Sequence, residues 1–191
     1  MNRVERRKRE VREKILAAAF DLFLAQGVAA TTIEEICERA DVANRTFFNH
    51  FATRQDMIRA LAERRLVNLH DVVFGRADEP IPARLVGVFD DIGAALGKSG
   101  DTYRELIGEM LATSGYGVQR GFNLHDTFAE LVKEGVARGE VSASHDAETL
   151  ADIIVGALSG GILNWTVDRT YSLETNLHNL AAALAELLSG R

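Results

Sequence analysis

The chain has 191 residues, of which 47% are hydrophobic, and this is enough for one substantial core or for a small domain beside a larger one. Disorder over most of the chain is therefore excluded, and the single cysteine, Cys37, excludes an intramolecular disulfide. The net charge of −6 is unevenly divided, because residues 1–65 hold 13 basic and 10 acidic side chains whereas the remainder holds 9 and 18, which indicates two separate tasks.

Helix is favoured along the whole chain, because its two prolines, Pro80 and Pro82, leave long uninterrupted stretches. We therefore predict an all-α protein. The N-terminus is polar and basic without an apolar signal segment, which predicts a cytoplasmic protein. The most apolar window, residues 153–167, is shorter than the roughly 20 residues that a membrane span needs, so we expect a buried helix there and no membrane association.

The first predicted helix follows a basic run at residues 3–14 and continues through apolar residues at helical spacing to Gly27. Gly27 stands where a helix C-terminus favours a left-handed residue. The basic run has two interpretations, a solvated or frayed helix end and an arm that seeks phosphate. In the second interpretation Arg6 and Arg7 bind DNA.

A short second helix and a tight turn come next. Thr32 and Glu35 form a capping-box pattern that predicts a helix from Ile33 to Ala40. Asp41 tolerates the left-handed conformation of a tight turn, and a third short helix is predicted over residues 43–50. Two short helices joined in this way predict a helix-turn-helix, whose second helix enters the major groove of DNA.

The third helix has two different faces. Phe47 and Phe51 lie on one face and can anchor it, whereas Asn44, Arg45 and Phe48 lie on the other. Arg and Asn carry the donors and acceptors that match guanine and adenine edges. We expect contacts to bases and phosphates from Asn44, Arg45, Thr46, His50 and Arg54, of which the last two bond phosphate.

Longer helices are predicted for the remainder. A looser capping signal, Thr53 to Asp56, opens a helix that we expect to run over residues 53–74 and to bridge two domains. Periodic apolar residues predict further helices near residues 83–96, 102–112, 118–137, 147–167 and 173–188.

Residues 15–60, read together, resemble the N-terminal DNA-binding domain of the TetR family of transcriptional regulators. The features that match in order are Phe23, Gly27, Thr31, Thr32, Ile33, Ile36, Ala40, Val42, Thr46, Phe48, Phe51 and Arg54. The resemblance implies a DNA-binding domain at residues 1–52 and a helical effector-binding and dimerisation domain at 53–191. It also implies DNA contacts from Thr31, Thr32 and Ala43.

The chain departs from the family pattern at several positions, where Cys37 replaces alanine, Asp41 glycine, Ala43 serine, Arg54 lysine, and Phe48 and His50 two tyrosines. The tyrosine at the position of Phe48 commonly donates to a phosphate, so Phe48 is left with apolar contact to sugar or to a thymine methyl. His50 still donates, and does so better when protonated, so we predict that operator affinity rises modestly as the pH falls through the histidine range.

The last two helices carry the predicted dimer interface. Leucines at 173, 177, 180, 184 and 187 step by 4, 3, 4 and 3, which is typical of a helix-packing seam, although intramolecular core is the alternative. The predicted interface residues are Ile153, Ala157, Gly160, Gly161, Leu177, Leu180, Leu184 and Leu187. A twofold dimer would present its recognition helices to half-sites roughly 34 to 36 Å apart.

Aromatic residues with a few polar neighbours form the predicted effector pocket, which suits a lipophilic or aromatic ligand. They are His70, Phe74, Phe89, Tyr103, Met110, Phe122, Phe128, Asn164 and Trp165. The histidines lack metal-ligand spacing and no catalytic set stands out, so we expect no metal, no cofactor and no enzyme activity. The predicted function is a dimeric repressor that binds a palindromic operator, and the alternative is a small helical lipid-carrying protein or enzyme without a DNA role.

Overall fold

The computed structural model describes residues 2–66, 69–114 and 124–190, and every regular element within these ranges is a helix. The helices are α1 Arg3–Gln26, α2 Ile33–Ala40, α3 Asn44–His50, α4 Arg54–Leu66, α5 Leu69–Phe74, α6 Ile81–Gly97, α7 Asp101–Ser114, α8 Leu124–Ala137, α9 Ala147–Val167 and α10 Leu173–Ser189. The predicted all-α class is confirmed. Residues 118–123, at the start of one predicted helix, lie outside the described ranges.

The helices form two compact units, one of α1–α4 with α7 and one of α5, α6 and α8–α10. In the first unit α7 packs on α1, where the rings of Phe20 and Tyr103 meet edge to face with centroids 6.2 Å apart. The predicted boundary at residue 52 divides the chain differently and stays a prediction. Packing between helices that are distant in sequence, which local patterns do not reveal, brings α7 into the first unit.

α1 begins earlier than its apolar stripe indicates, because Asn2 caps it. The side-chain oxygen of Asn2 accepts from the N–H of Val4 at 3.3 Å, and the Glu5 carboxylate accepts from the N–H of Asn2 at 3.1 Å. The basic run is therefore helical from its first turn. At the other end Gly27 has the predicted positive φ of 86°, but its ψ of 158° is extended, so the expected left-handed helical cap is wrong.

α4 begins at the predicted capping signal. The N–H of Asp56 donates to the Thr53 hydroxyl at 3.1 Å, and the N–H of Thr53 donates to the Asp56 carboxylate at 3.1 Å. α4 ends at Leu66 and α5 begins at Leu69, and residues 67 and 68 lie outside the described part of the chain. A single helix over residues 53–74 therefore stays a prediction.

In the second unit α10 packs against α6 and α9. Its buried stripe consists of Leu173, Leu177, Ala181, Leu184 and Leu188. This stripe differs from the predicted leucine seam at two positions. Ala181 and Leu188 are buried in place of Leu180, which is half-buried, and Leu187, which is 74% exposed. The two neighbouring helices decide which of the overlapping leucine stripes is covered.

Three of the predicted dimer residues are used inside the chain instead. Leu177 and Leu184 are buried on α10, and Gly161 is buried on α9. A Cβ atom at Gly161 would lie 2.7 Å from Cδ2 of Leu177 and 3.2 Å from Cδ1 of Leu180, so the absence of a side chain lets α9 approach α10 closely. Their packing inside the chain accounts for these three residues, and their place in the interface stays a prediction.

A buried arginine, Arg84, fastens the start of α6 in the second unit. Its side chain is 0% exposed and donates to the Glu134 carboxylate at 3.0 Å and to the Ala77 carbonyl at 2.9 Å. The Ile81 N–H donates to the Glu140 carboxylate at 2.6 Å, which caps α6 from a distant part of the chain. Neither the arginine nor its partners stand out in the sequence, because residue type alone does not reveal a buried ion pair.

Among the described helices, α9 is long and apolar enough to cross a membrane by length and composition alone. Only 33% of its most apolar stretch is buried within the chain. Much of an apolar helix is therefore left uncovered by the residues that the structure describes.

Candidate nucleic-acid interface

α2 and the turn between α2 and α3 are held by local hydrogen bonds at both ends of α2. The Thr32 hydroxyl accepts from the N–H of Glu35 at 3.2 Å, and the Glu35 carboxylate accepts from the N–H of Thr32 at 2.7 Å. Asp41 has the predicted left-handed conformation, with φ 54° and ψ 52°. The Val42 N–H then donates to the Cys37 carbonyl at 3.0 Å, so the predicted helix-turn-helix is confirmed.

α3 separates its apolar and polar side chains as predicted. Phe47 and Phe51 are buried, with ring centroids 5.6 Å apart. Asn44 and Arg45 are exposed, as is Ala43 at the N-cap, and Thr46 is half-buried. The forked side chains that suit base edges are therefore available to a ligand, while the phenylalanines fix the helix to its domain.

Phe48 lies on the exposed side of α3, with 52% of its surface open. Its ring meets Phe47 edge to face, with centroids 5.4 Å apart and planes 81° from each other. This arrangement is favourable for two aromatic rings. An apolar ring is thus presented beside Asn44 and Arg45 instead of a phenol.

Arg12 joins α1 to the end of α3. Its guanidinium donates to the His50 carbonyl at 3.4 Å and lies 4.5 Å from the ring centroid of Phe51. A cation over an aromatic face is attractive. The sequence assigns Arg12 only to the basic run, and the spacing within that run gives no signal for this contact.

A shallow groove of about 420 Å³ separates the basic start of α1 from the end of α3. Its walls are formed by Val4, Arg7, Lys8, Val11, Asn49 and His50. Arg6 lies one residue away and pairs with Glu10 at 3.6 Å in a solvent-exposed contact. The groove brings cationic and hydrogen-bonding side chains from two helices to one place, as an anionic backbone requires.

His50 is half-buried at this groove. Burial, and then the nearby charges of Lys8 and Arg12, hold the pKa of His50 below its ordinary value. The free protein therefore keeps His50 neutral to lower pH than an exposed histidine. We therefore expect the predicted rise in operator affinity to occur at a lower pH than the residue type alone indicates.

The two threonines at the start of α2 contribute to its local structure. Thr31 is 3% exposed and its hydroxyl donates to the Gly27 carbonyl at 2.8 Å, so its side chain is already engaged within the protein and its DNA contact stays a prediction. Thr32 is exposed, but its backbone N–H and then its hydroxyl donate to the Glu35 carboxylate, and these bonds hold the pKa of Glu35 below its ordinary value. A contact from the Thr32 hydroxyl to DNA would use the same hydroxyl that caps α2.

Arg54 also points into the protein. Its guanidinium donates to the Thr31 carbonyl at 2.6 Å and to the Val28 carbonyl at 2.5 Å, and it lies 5.3 Å from the ring centroid of Phe23. These contacts brace α4 against the loop that precedes α2. The phosphate contact from Arg54 stays a prediction, and it would have to share the guanidinium with these carbonyls.

The predicted effector residues are divided between the two units, and the pocket stays a prediction. Tyr103 and Met110 belong to the first unit, whereas the second unit holds Phe89 and Phe128, with ring centroids 6.5 Å apart, and the buried Trp165. His70 stacks 4.5 Å from Phe74 and lies 3.6 Å from the Glu130 carboxylate, and Asn164 is exposed. Phe122 lies outside the described residues.

The described side chains also bear on metal binding. In residues 2–66, 69–114 and 124–190, no three His, Cys, Asp or Glu side chains are grouped so that they could hold a metal ion. The exposed polar surface of α3 and the basic groove therefore carry the candidate site.

Comparison with known proteins also indicates a DNA-binding protein. Residues 15–61 match the family described as bacterial regulatory proteins, tetR family. The transcriptional repressor BepR of Brucella suis is 29% identical over 178 residues, which cover 86% of this chain and 84% of BepR. The transcriptional regulator TcmR of Streptomyces glaucescens is 43% identical over 53 residues, but these are 28% of this chain and only 24% of TcmR.

Solved structures share the fold over nearly the whole chain. FadR of Thermus thermophilus, a TetR-family repressor in complex with lauroyl-CoA, superposes with a TM-score of 0.75 at 20% identity and covers 93% of this chain and 94% of FadR. RolR in complex with resorcinol superposes with a TM-score of 0.69 at 18% identity and covers 96% of this chain and 90% of RolR.

A helix-turn-helix domain joined to a larger helical domain defines the class, a DNA-binding transcriptional regulator. Within that class residues 15–61 match the DNA-binding domain of the TetR family of bacterial regulatory proteins, and the chain resembles the repressor BepR over most of its length.

Proposed function

We propose that this regulator is a cytoplasmic homodimer that represses transcription from a palindromic operator and is released by a small lipophilic or aromatic effector. It needs neither a cofactor nor an enzyme activity for this. One observation carries the proposal: Asn44 and Arg45 are exposed on a helix whose opposite face, Phe47 and Phe51, is buried in its own domain.

The exposed side chains suit the major groove. Arg45 presents a fork that matches O6 and N7 of guanine, and Asn44 presents the donor and acceptor that match adenine. The recognition helix of a helix-turn-helix places its N-terminal residues at the base edges. Asn44 and Arg45 are the first two residues of α3, so they stand where such contacts are made.

The basic groove supplies contacts to the DNA backbone. Arg7, Lys8, Asn49 and His50 line it, and each of them can donate to a phosphate oxygen. The capped start of α1 holds the cations in a helix, which limits the entropy lost when they bind. Such contacts strengthen binding to any duplex and make it dependent on salt.

The proposed dimer uses surfaces of α9 and α10 that the chain leaves open. Ile153, Val167 and Leu187 are 49%, 74% and 74% exposed, and a Cβ atom at Gly160 would meet nothing within 4 Å. A second copy of the chain would cover these apolar side chains and would generate twofold symmetry, which matches a palindromic operator. Ala157 and Leu180, which the sequence also assigns to the interface, are half-buried.

The second unit is the proposed effector domain. Phe89 and Phe128 form an aromatic pair there, and His70 offers a polar group beside Phe74. FadR was solved with lauroyl-CoA and RolR with resorcinol, which supports a ligand that is lipophilic or aromatic. An effector that binds the non-DNA conformation more tightly than the DNA-binding one would change the spacing of the two recognition helices and release the operator.

The proposal is tested by binding to the DNA that flanks the protein's own coding region. Titrations of labelled duplexes, followed by anisotropy, should show one preferred sequence. Arg45→Ala should reduce that preference by about 1 to 3 kcal/mol, because a bidentate base contact is lost. Arg39→Ala is the matched control, since Arg39 is also exposed but pairs with Asp21 at 3.5 Å away from α3.

A second pair of changes separates base contacts from backbone contacts. Replacing Arg6 and Arg7 together should weaken binding to all duplexes and reduce the dependence of affinity on salt. If neither this double change nor Arg45→Ala alters DNA binding, the alternative of a lipid carrier or an enzyme is supported instead.

The effector is sought with the same duplex. Candidate lipophilic and aromatic compounds should release the bound operator while the protein stays folded, as judged by its helical circular dichroism. A compound that lowers DNA binding only by unfolding the protein would not be an effector.

A further inference from the structure

Phe48 is an exposed aromatic side chain on a face otherwise suited to polar contacts. It is 52% exposed, next to Asn44 and Arg45 on α3. We propose that Phe48 determines part of the operator specificity, because its ring contacts the C5-methyl group of one thymine in each half-site. This inference depends on the proposed function and adds to it the identity of a base pair.

The ring of Phe48 is positioned by its contact with a buried aromatic ring. Phe47, which is 0% exposed, meets it edge to face, and Phe47 in turn packs on Phe51. Phe48 therefore reaches outward from a rigid aromatic cluster, so little side-chain freedom remains to be lost when it binds. A positioned apolar ring can discriminate between surfaces that differ by one methyl group.

The chemistry of the ring leaves few partners on DNA. A phenyl group has no hydrogen-bond donor or acceptor, so it matches neither the polar base edges nor a phosphate oxygen. In the major groove the thymine methyl is the apolar group that base pairs present. Contact with that methyl would remove apolar surface of both partners from water.

The position of Phe48 on α3 restricts where the thymine can be. Phe48 follows Asn44 by four residues and Arg45 by three, and side chains with these separations lie about 5 to 6 Å apart at Cβ on one helix face. Stacked bases are separated by about 3.4 Å along each strand. The thymine should therefore lie one or two base steps from the pair that Arg45 or Asn44 contacts.

The test uses the full-length protein and its preferred duplex, with each thymine replaced in turn by deoxyuridine. This exchange removes the methyl group and keeps the base pairing. One thymine in each half-site should be sensitive, with affinity falling about fourfold for one methyl and roughly 16-fold for the symmetric pair. Phe48→Ala should bind the thymine and deoxyuridine duplexes equally well.

Leu24→Ala provides a matched control, because Leu24 is also an exposed apolar residue, at 39%, on α1 of the same unit. It should keep the full thymine sensitivity. Circular dichroism should show that both variants are folded, as expected for changes at exposed side chains.

Three results would overturn the inference. If no deoxyuridine duplex is weakened in the wild type, or if the weakening persists in Phe48→Ala, the methyl is not contacted by this ring. If Phe48→Ala weakens the thymine duplex and the matching deoxyuridine duplex by the same factor relative to the wild type, the ring contacts sugars instead. In each of these cases the regulator still binds its operator, whereas a protein that prefers no duplex sequence overturns the proposed function as well.

Discussion

The exposed face of α3 and the exposed faces of α9 and α10 both present apolar side chains to solvent, but their surroundings differ. On α3, Phe48 stands beside Asn44 and Arg45 and near a basic groove. On α9 and α10, Ile153, Val167 and Leu187 belong to helices whose other faces are apolar as well. The neighbours of an exposed hydrophobic residue thus support different proposed partners: nucleic acid in the first case and a second copy of the chain in the second.

The two regions also differ in the contacts that determine their structure. α2 and the α2–α3 turn are determined by residues close together in sequence, because Thr32 caps the start of α2 and the left-handed Asp41 forms the turn at its end. The buried side of α10 is determined by helices that are distant in sequence. Changes in the first region should therefore act locally, and changes in the second should act through packing and assembly.

The largest effect is expected from Phe47→Ala, which removes a fully buried ring and should cost about 3 to 5 kcal/mol of stability in the first unit. Urea unfolding should be followed by helical circular dichroism and by fluorescence of Trp165, the only tryptophan, which is buried in the second unit. The circular dichroism transition should move to lower urea before the fluorescence transition does.

Phe48→Ala is the control for that prediction, because the same residue type is exposed one position later. It should change stability by no more than about 0.5 kcal/mol. Equal destabilisation by the two variants would show that the faces of α3 are not divided as described.

The next effect concerns assembly. Leu187→Glu places a charge on the proposed dimer surface and should weaken the dimer by at least about 2 kcal/mol, or roughly 30-fold in dissociation constant. Sedimentation velocity over a range of concentrations measures this directly. Val136→Glu, at a residue 36% exposed on α8, should leave the association unchanged. A dimer that tolerates Leu187→Glu would place the interface elsewhere.

A smaller effect separates two arginines of the first unit. Arg54→Ala should cost about 1 to 3 kcal/mol of stability, because the carbonyls of Val28 and Thr31 lose their charged donor. Arg45→Ala should change stability by about 0.5 kcal/mol or less, because Arg45 is exposed. Thermal unfolding measures both. If Arg54→Ala kept full stability and lost only DNA affinity, the phosphate contact predicted from the sequence would be restored.

The smallest effect is the pH response of His50. Its pKa in the free protein is lowered, and a phosphate oxygen at the groove would favour the charged form and raise the pKa in the complex. Affinity should therefore rise, by less than about tenfold, as the pH falls from the pKa of the complex towards that of the free protein. Anisotropy titrations should show this rise in the wild type, and an unchanged rise in His50→Gln would contradict it.

His50 should affect folding stability in the opposite direction from operator affinity. Because the folded protein lowers the pKa of His50, the unfolded chain binds the proton more readily, and the free energy of unfolding should decrease as the pH falls below the ordinary histidine value. His50→Gln should remove this part of the pH dependence in urea titrations without DNA.

The elements whose signals are local could be predicted from the sequence. α2 begins and ends as predicted because Thr32 caps one end and Asp41 turns the other, and α9 has its predicted bounds. The exposed and buried faces of α3 follow from helical spacing alone. These features depend on residues within one or two helical turns of each other.

Features that depend on tertiary partners could not be predicted in this way. Thr31 and Arg54 have side chains suited to DNA, but both are used by backbone carbonyls, and residue type does not distinguish the two uses. The leucines of α10 form overlapping stripes, and α6 and α9 determine which one is buried. Arg84 needs Glu134, fifty positions away, to explain its burial.

The missing side chain at Gly161 has a consequence beyond the monomer. A methyl group there would press on Leu177 and Leu180, so Gly161→Ala would force these side chains or the two helices to shift. Such a shift would reach the outward faces of α9 and α10, on which the proposed dimer surface depends.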